Sequence, residues 1–556
     1  MKASMTLEVI LGVALDGPSV TERVDRDSRV GTLVVGPTGF LHDFEHRLGL
    51  HGEAALEETR VECYAHRLEA VARTHGGRLF WSEVYAKDAH ETARNLLTWR
   101  DALVLGGWNG GPIVNGSARL EALAWIEAIG ATIDHPDVPA LPPGVADRWI
   151  AVVAELDAGA LVPYSRVQVV DPLTQLSARA REVLHAITRQ GVFVAQTPIA
   201  EAPPSAQTDL GRMQHHLRHG GASPWLEGDG TLVVVEGAQA ELDAVVETVV
   251  SKHEHVVVIG GARPGPHLEH VEDAAAVLHP RELVVVAPAV ARETVPPGPW
   301  TDRERSALRA VSVELLDEPR QREAHAQATR RMLRLATEKL VILRCEGGAP
   351  DALLDELAVR AGGSLRAVTR PAATVIEPTL PRAAATSVEP ELAWSLEVHE
   401  LGGALSLTGD RAARRRIGEA VRSFFAADPI DGDVARRIAM AQRILDRRGL
   451  HELAAAEALV EAHERLRAWV RAARPDGTWR RGVPVNARTQ PGAIDLLVSS
   501  SRGALVIDHS AIEDREEAVE HARGQAARLG TWAGLVGGIG MLHLPVPGCV
   551  VTLGPL

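Results

Sequence analysis

Two aspartates near the end of the chain could form one site. The segment GAIDLLVSSSRGALVIDHS places Asp495 inside one apolar run and Asp508 at the end of the next, a pattern typical of a hairpin. Two carboxylates on paired strands can hold Mg²⁺, which prefers oxygen ligands in octahedral geometry. With a lysine two residues after the second acid, such a site could cleave a phosphodiester. Aspartate at a strand end is more often a turn-capping residue, so the hairpin alone leaves both interpretations open.

Lysine, which this chemistry and ATP hydrolysis both require, is scarce in this chain. The sequence has four lysines: Lys2, Lys87, Lys252 and Lys339. The residue two positions after Asp508 is Ser510, and no lysine follows Lys339. A phosphate-binding loop, GxxxxGK[ST], needs lysine between glycine and Ser or Thr, and none of the four has these neighbours. We therefore expect neither an ATPase nor a competent nuclease.

The segment closest to a phosphate-binding loop is VVGPTGFL. Within it, Gly36–Gly39 follows a strand-like run and opens a helical pattern. Amides at the start of a helix can face a phosphate. A plain strand-to-helix turn explains the same residues more simply.

Strand and helix patterns alternate over most of the chain. Strand-like runs in the first half are Leu7–Leu15, Thr32–Val35, Val167–Val170, Val192–Ala195 and Leu232–Glu236. Helical patterns lie between them at Glu53–His75, His90–Val104 and Ala178–Arg189. The continuous apolar runs VVVIGG and LVVVAP follow, as expected for strands covered on both faces. This alternation predicts an α/β fold with largely parallel sheets.

We expect four regions along the chain. They are an α/β domain over 1–250, a second and shorter α/β domain over 251–369, a proline-rich linker over 370–394, and a last domain over 395–556. The last region begins with helical patterns up to residue 473 and continues with the strands that carry the two aspartates. Because linkers are exposed, we expect proteolysis to cut first near 370–390 and the last region to be separable.

The last region resembles the RecB-like nuclease domains of bacterial helicase–nuclease subunits. The resemblance covers about residues 405–553, through RIGEAVRSFFAADP, HERLRAWVRAARPDGTWRRGVPV, GAIDLLV, GALVIDHS, GQAARLGTWAG and MLHLPVPGCVV. It implies a PD-(D/E)XK nuclease fold in which Asp495 and Asp508 are the catalytic, metal-binding acids.

Four positions depart from the pattern of these nucleases. Arg422 stands where the family has histidine, Gly482 where it has glutamate, and Ser510 where it has lysine. The helix that usually carries Q-x-x-x-Y keeps Gln525 but has Leu529 in place of tyrosine. The resemblance therefore implies a vestigial site. No cofactor is expected, and Mg²⁺ would be bound by the two aspartates only if the site is active.

Arginine supplies nearly all the positive charge. If DNA is bound, the leading candidates for contact are Arg422 and the cluster Arg411, Arg414, Arg415 and Arg416. The Arg422 guanidinium could also neutralise the two aspartates in place of a metal, or it could simply face solvent. Both interpretations stay open.

The first half of the chain is similar to AddB-like proteins, whose helicase fold has lost its motor. The segments GPTGFLHDFEHRLGL, ARNLLTWRDALVLGGW, VVDPL, TDLGRMQ and PWTDRERSAL follow the order seen there, over about residues 30–345. Such proteins carry several hundred more residues between the positions that match Gly261 and Trp300. The resemblance implies a truncated helicase-like region.

Other residues are less informative. His215, His216 and His219 could suggest a metal site, but a polar loop explains them better. Trp99, Trp108 and Trp225 could stack on bases, yet their apolar surroundings favour core positions. Three cysteines without a CxxC pair exclude a disulfide framework and fit a reducing bacterial cytoplasm. No apolar run is long enough to span a membrane.

The sequence thus predicts a non-catalytic subunit that engages DNA or acts as a scaffold. It would associate with a UvrD-like or AddA-like helicase, or with another nuclease subunit, in DNA break processing or antiphage defence. One alternative is a residual metal-dependent nuclease. The other is a protein–protein adaptor that no longer binds nucleic acid, which a net charge of −14 favours.

Overall fold

A computed structural model describes most of the chain, and the statements below apply to that part. The described residues are 7–16, 29–50, 55–75, 79–131, 138–197, 205–253, 255–260, 269–271, 274–287, 298–316, 318–345, 352–375, 394–403, 405, 411–428, 433–486, 492–510, 512 and 515–555. The predicted linker lies largely outside them, at 376–393.

Helices and strands alternate as the sequence predicts. The strands are β1 (Leu7–Leu11), β2 (Arg29–Val30), β3 (Thr32–Val35), β4 (Tyr164–Val169), β5 (Phe193–Gln196), β6 (Leu232–Gly237), β7 (Val256–Ile259), β8 (Glu269–Val271), β9 (Arg281–Val286), β10 (Ala336–Cys345), β11 (Thr369–Pro371), β12 (Trp394–Glu400), β13 (Thr478–Asn486), β14 (Gly492–Ser500), β15 (Gly503–His509), β16 (Gly538–Leu544) and β17 (Cys549–Pro555). The helices are α1 (Pro37–Leu48), α2 (Glu57–His75), α3 (Ser82–Tyr85), α4 (Ala89–Leu105), α5 (Ala118–Gly130), α6 (Val145–Asp157), α7 (Ala178–Arg189), α8 (Asp209–His219), α9 (Gln239–Val250), α10 (Asp302–Ala310), α11 (Glu318–Leu335), α12 (Ala352–Ala361), α13 (Arg411–Ala427), α14 (Val434–Arg447), α15 (Ala456–Ala473) and α16 (Arg515–Val536).

The strands of the described residues form three sheets, and the α/β fold class is confirmed. The first sheet has the order β3-β1-β4-β5 and the second β11-β6-β10-β9-β7-β8, and both are parallel. The third has the order β12-β17-β16-β15-β14-β13-β2. It is antiparallel except between β15 and β16, which α16 connects.

The continuous apolar strands lie where the pattern predicts, between two cores. All four residues of β7 are buried. Val257 packs into the hydrophobic core on one face of the second sheet, and Val258 into the core on the other face. A strand covered on both faces gains from apolar residues at every position, which explains the uninterrupted VVVI.

The boundary between the first two sheets differs from the prediction at residue 250. Strand β6 pairs with β10 in the second sheet, with Leu232 beside Leu340. Helix α8 also contributes Leu210 and Met213 to the core of that sheet. The second sheet and its helices therefore begin at or before α8. Long-range strand pairing, which local pattern does not encode, determines this boundary.

The third sheet is joined to the first half of the chain. Strand β2 extends it by pairing with β13, where Val30 lies beside Val485. Leu11 and Phe44 of the first half lie in the same hydrophobic core as Trp532 of the last region. Because this core is shared, the contacts that cross the predicted linker are extensive.

No helix in the described part of the chain is both long and apolar enough to cross a bilayer.

Candidate functional site

The structure brings the two predicted acids together on neighbouring strands. Strands β14 and β15 are antiparallel, and their ladder pairs Leu496 with Ile507, so the next position sets Asp495 opposite Asp508. The backbone N–H of His509 donates to both carboxylates, at 2.8 Å to Asp495 Oδ2 and 3.1 Å to Asp508 Oδ1. Asp508 is 5% exposed. The pair is a largely buried acidic site, not two turn caps.

A cation from helix α16 is bound to the second acid. The guanidinium of Arg528 donates through Nη2 to Asp508 Oδ2, and its Cζ lies 4.7 Å from the centroid of the Trp532 ring. The indole packs one face of the guanidinium and thereby directs it toward the carboxylate. Sequence analysis missed Arg528, although it stands three residues after Gln525 on the same helix face. Gln525 itself is half-buried.

Arg422 contacts the first acid from helix α13. Its Nε lies 3.9 Å from Asp495 Oδ2, and its Nη2 donates to the carbonyl of His509 at 3.0 Å. The side chain is also 56% exposed. The two interpretations of Arg422 are thus both partly right, because it approaches the acid pair while most of its surface meets solvent.

The electrostatics of the pair follow from burial. Burial raises the pKa of Asp495 well above its ordinary value, and the hydrogen bond and charge of Asp508 raise it further. Arg422 and the His509 amide act in the opposite direction but are weaker. Two guanidiniums, those of Arg422 and Arg528, therefore face a pair in which burial disfavours the charged form of Asp495.

The position of the missing glutamate is occupied by backbone. The ladder between β13 and β14 sets Gly482 opposite Asp495, and Gly482 has φ +52°, in the left-handed region. Arg47 of α1 donates to the carbonyls of Arg481 and Gly482, at 3.0 and 2.8 Å. A Cβ at residue 482 would lie 3.2 Å from Arg47 Nη1. A glutamate here would require both the strand and Arg47 to move.

Ser510 stands at the position of the family's lysine and supplies no positive charge. Ser510 follows β15, and its N–H donates to the carbonyl of His543 at 2.9 Å. His521 of α16 lies near the site, and burial, the largest contribution, lowers its pKa, while the charge of Asp508 acts in the opposite direction.

These residues do not fit a Mg²⁺ ion. The ion needs several oxygen ligands, whereas one of the two acids is bonded to a guanidinium and the remaining positions are glycine and serine. Across the described ranges, no group of three or more His, Cys, Asp or Glu residues is arranged to hold a metal.

A second charged cluster, which sequence analysis missed, is buried beneath helices α13, α14 and α15. Arg437 donates to both oxygens of Asp428, at 2.6 and 2.7 Å, and Asp428 also bonds His463 Nδ1. Glu464 accepts from Arg437 and, at 3.0 Å, from Arg467. Asp428 and Arg437 are at most 2% exposed. The one sequence signal is a histidine on the apolar stripe of α15.

His463 of this cluster lies beside two further buried histidines, His509 and His543. His509 Nδ1 is 3.0 Å from His543 Nδ1, and both rings pack on Phe425, which also contacts His463. Burial lowers the pKa of His463 to about 4 and that of His543 to about 3. The His509 pKa is lowered well below its ordinary value for the same reason. Burial therefore favours the uncharged form of all three rings at neutral pH.

The predicted arginine cluster is only partly described. Arg416 is half-buried and donates to the carbonyl of Arg448 at 3.2 Å, so it helps to hold α13 against the end of α14. The side chains of Arg411, Arg414 and Arg415 lie outside the described part.

The turn that resembles a phosphate-binding loop already contains an anion. Asp16 accepts from the N–H groups of Thr38 and Gly39, at 2.7 and 2.8 Å. A Cβ at Gly36 would lie 2.4 Å from the Asp16 carboxyl carbon. The helix amides that could face a phosphate therefore bind a carboxylate of the same chain.

The three tryptophans differ in burial. Trp108 is 2% exposed and donates to Gly111, and Trp99 packs against a core beside Trp300. Trp225, however, is 73% exposed, so the predicted core position is wrong for it. It lies in the loop before β6, whose backbone directs it outward. The rings of His215 and His219 lie 4.6 Å apart on α8.

Neither protein-family models nor curated protein sequences match this chain. The RecB-like and AddB-like resemblances therefore stay predictions, and the site has to be interpreted from its own geometry.

Proposed function

We propose that this protein is a non-catalytic subunit of a helicase–nuclease type complex, where it engages DNA or acts as a scaffold. The observation that carries the proposal is the ion pair between Arg528 and Asp508 within the vestigial acid pair. The Arg528 guanidinium is bonded to the Asp508 carboxylate, which a catalytic metal would need as a ligand. The pair therefore serves the fold and not hydrolysis.

The arrangement of the acids supports descent from a nuclease. Asp495 and Asp508 lie opposite each other on paired strands, as the RecB-like resemblance leads us to expect. Gly482 stands opposite Asp495, at the position assigned to the family's glutamate. Both observations support an ancestral acid site whose other ligands have been replaced.

The first half of the chain supports a subunit without a motor. No lysine loop exists in the sequence, and Asp16 occupies the amides of the turn that resembles one. In the proposed complex an AddA-like or UvrD-like helicase, or another nuclease subunit, supplies the catalysis. DNA break processing and antiphage defence are the two settings that the resemblance offers.

The test is a cleavage assay on linear and single-stranded DNA with the purified full chain in Mg²⁺ and in Mn²⁺. We expect no cutting above background by the wild type, Asp495→Ala or Asp508→Ala, since removal of a single electrostatic stabiliser already costs about a hundredfold in rate. Glu397→Ala is the matched control, an exposed acid of the same sheet.

Two outcomes would replace the proposal. Strong cutting by wild type and Glu397→Ala that both aspartate variants abolish would identify a residual nuclease. An intact, uncut DNA that the protein also fails to bind at low salt would favour the protein–protein adaptor.

A further inference from the structure

Cations gather around the edge of the second sheet where β6 and β10 begin. Lys339 directly precedes the buried run of β10, and Lys252 lies two residues after the end of α9. Arg370 of β11 reaches this edge through its side chain, which donates to Gly228 in the loop before β6. Arg370 is beside Val235 in the ladder, and Val235 shares a core with Val341, two residues after Lys339. Lys339 and Arg370 therefore lie on the same face of the sheet, the face that α9 covers. Half of the chain's four lysines are here.

Among the described residues, the charges that act on Lys339 are of one sign. Burial lowers the pKa of Lys339, and the nearby charges of Lys252 and Arg370 lower it further. A local group of cations attracts anions even in a protein with a net charge of −14. Lys252 and Arg370 are exposed, so an external anion can reach them.

The exposed Trp225 lies in a loop that contacts the same edge. Arg370 donates to the carbonyl of Gly228 at 3.1 Å, three residues after the indole. Gly228 has φ +83°, and a Cβ there would lie 2.6 Å from the carbonyl oxygen of Ala367. The loop is thus packed closely against the segment that leads into β11.

A buried carboxylate fixes the shape of this loop. Asp209, which is fully buried, accepts from the N–H groups of Glu227, Gly228 and Asp229 at 2.8–3.0 Å. The acids of the loop are themselves engaged. Glu227 lies 3.5 Å from Arg212, and Asp229 accepts from the N–H of Asp209 at 2.8 Å. The backbone therefore holds Trp225 in solvent.

We infer that Trp225, Lys252, Lys339 and Arg370, here called the basic edge, bind single-stranded nucleic acid. A base stacks on the indole, because every base offers a π-face, and the cations contact the adjacent phosphates. A paired base has both faces covered, so duplex DNA cannot stack on the indole in this way. This inference rests on the DNA-engaging form of the proposed function and adds its substrate class and its place, away from the acid pair.

The experiment is fluorescence anisotropy of a labelled oligothymidine and of a labelled blunt hairpin, with the full chain and a salt series. Trp225→Ala should weaken binding of the single strand about tenfold or more, and Trp225→Phe should recover most of it. Lys339→Gln should lower the salt slope by about 0.7 for each phosphate that the variant no longer neutralises. The matched controls lie on the first sheet and its helices: Phe193→Ala, at an aromatic that is 60% exposed, and Arg189→Gln.

Each result decides between defined conclusions. Wild type that binds the single strand, with weaker binding by Trp225→Ala and Lys339→Gln but not by the controls, supports the basic edge. Wild type and all variants binding alike would overturn it and leave the proposed function standing, with DNA bound elsewhere. No binding of either DNA would overturn both, and capture of an acidic protein that depends on Trp225 would reassign the edge to a protein partner.

Discussion

The acid pair of the third sheet and the basic edge of the second sheet balance their charge in different ways. In the third sheet, Asp508 is bonded to Arg528 within the chain. At the basic edge, the charges of the described residues that act on Lys339 are those of other cations. A charge bonded within the chain is not available to a ligand, whereas exposed cations can attract an external counter-ion. The comparison teaches that similarity to a catalytic motif does not by itself make a carboxylate available to a ligand, because Asp508 is already bonded to Arg528.

The first prediction concerns the buried histidines His463, His509 and His543, which lie in the same region of the molecule as the acid pair. Their folded pKa values are below the ordinary value of about 6.5, so the unfolded chain binds more protons at lower pH. Their contribution to stability is therefore complete above about pH 6.5 and is lost as pH falls toward about 4, the folded pKa of His463. The slope should approach about 4 kcal/mol per pH unit where three protons are taken up.

Asp495 partly opposes this slope, because its raised pKa makes its own contribution fall as pH rises. Urea denaturation across this pH range measures the sum. His543→Leu should reduce the slope by about one proton, or about 1.4 kcal/mol per pH unit. A free energy of unfolding that does not change below pH 6.5 would contradict the burial of these rings.

The second prediction concerns the buried ion pair between Asp428 and Arg437. Asp428→Ala leaves Arg437 buried without its main partner, and removing one member of a buried pair destabilises by about 3–5 kcal/mol. The free energy of unfolding from urea denaturation is the measurement. Asp157→Ala is the control, because its pair with Arg189 is exposed and should contribute little. Equal decreases for the two variants would show that the cluster is not buried as described.

The third prediction tests how the regions are joined. Protease should cut first near residues 370–390, as expected of a linker, yet the two pieces should elute together from a size-exclusion column. The shared core and the β2–β13 pairing hold them. The structure therefore argues against the independence expected for residues 395–556. Separation of the nicked pieces without denaturant would restore that expectation.

The fourth prediction is the smallest and has the opposite sign. Lys339→Gln removes a cation from a group of like charges, so stability should stay within about 0.5 kcal/mol of wild type or rise. The same denaturation assay at low and high salt measures it, and any gain should shrink as salt screens the repulsion. A large decrease in stability would mean that Lys339 is held by a carboxylate after all.

Much of the fold follows from local pattern in the sequence. Helix α7 has the predicted bounds, Ala178–Arg189, because Ser177 caps it and its apolar spacing is regular. Strands β7 and β9 of the second sheet follow from uninterrupted apolar runs. The meeting of Asp495 and Asp508 follows from the hairpin, since the turn fixes the register of its two strands.

The rest depends on contacts between distant segments. Arg528 reaches Asp508 from a helix, and Asp428 pairs with His463 of a helix 35 positions later. The position of β6 in the second sheet also depends on long-range pairing. Trp225 was assigned to the core from its apolar neighbours, but a loop fixed by Asp209 turns it outward. Local pattern carries no information on such pairs.

The Asp16 carboxylate at the start of α1 would compete with a nucleotide phosphate for the same backbone amides. Asp16 belongs to the same chain as the Thr38 and Gly39 amides to which it is hydrogen-bonded. The effective concentration of its carboxylate at these amides is therefore in the millimolar range or above. A free nucleotide would have to displace this tethered competitor, without a lysine to help it. The geometry of α1, and of Arg47 at its far end against strand β13, is therefore set by contacts within the chain and does not require a bound nucleotide. In the proposed complex, the surface formed by α1 and β13 would stay the same while a neighbouring motor hydrolyses ATP.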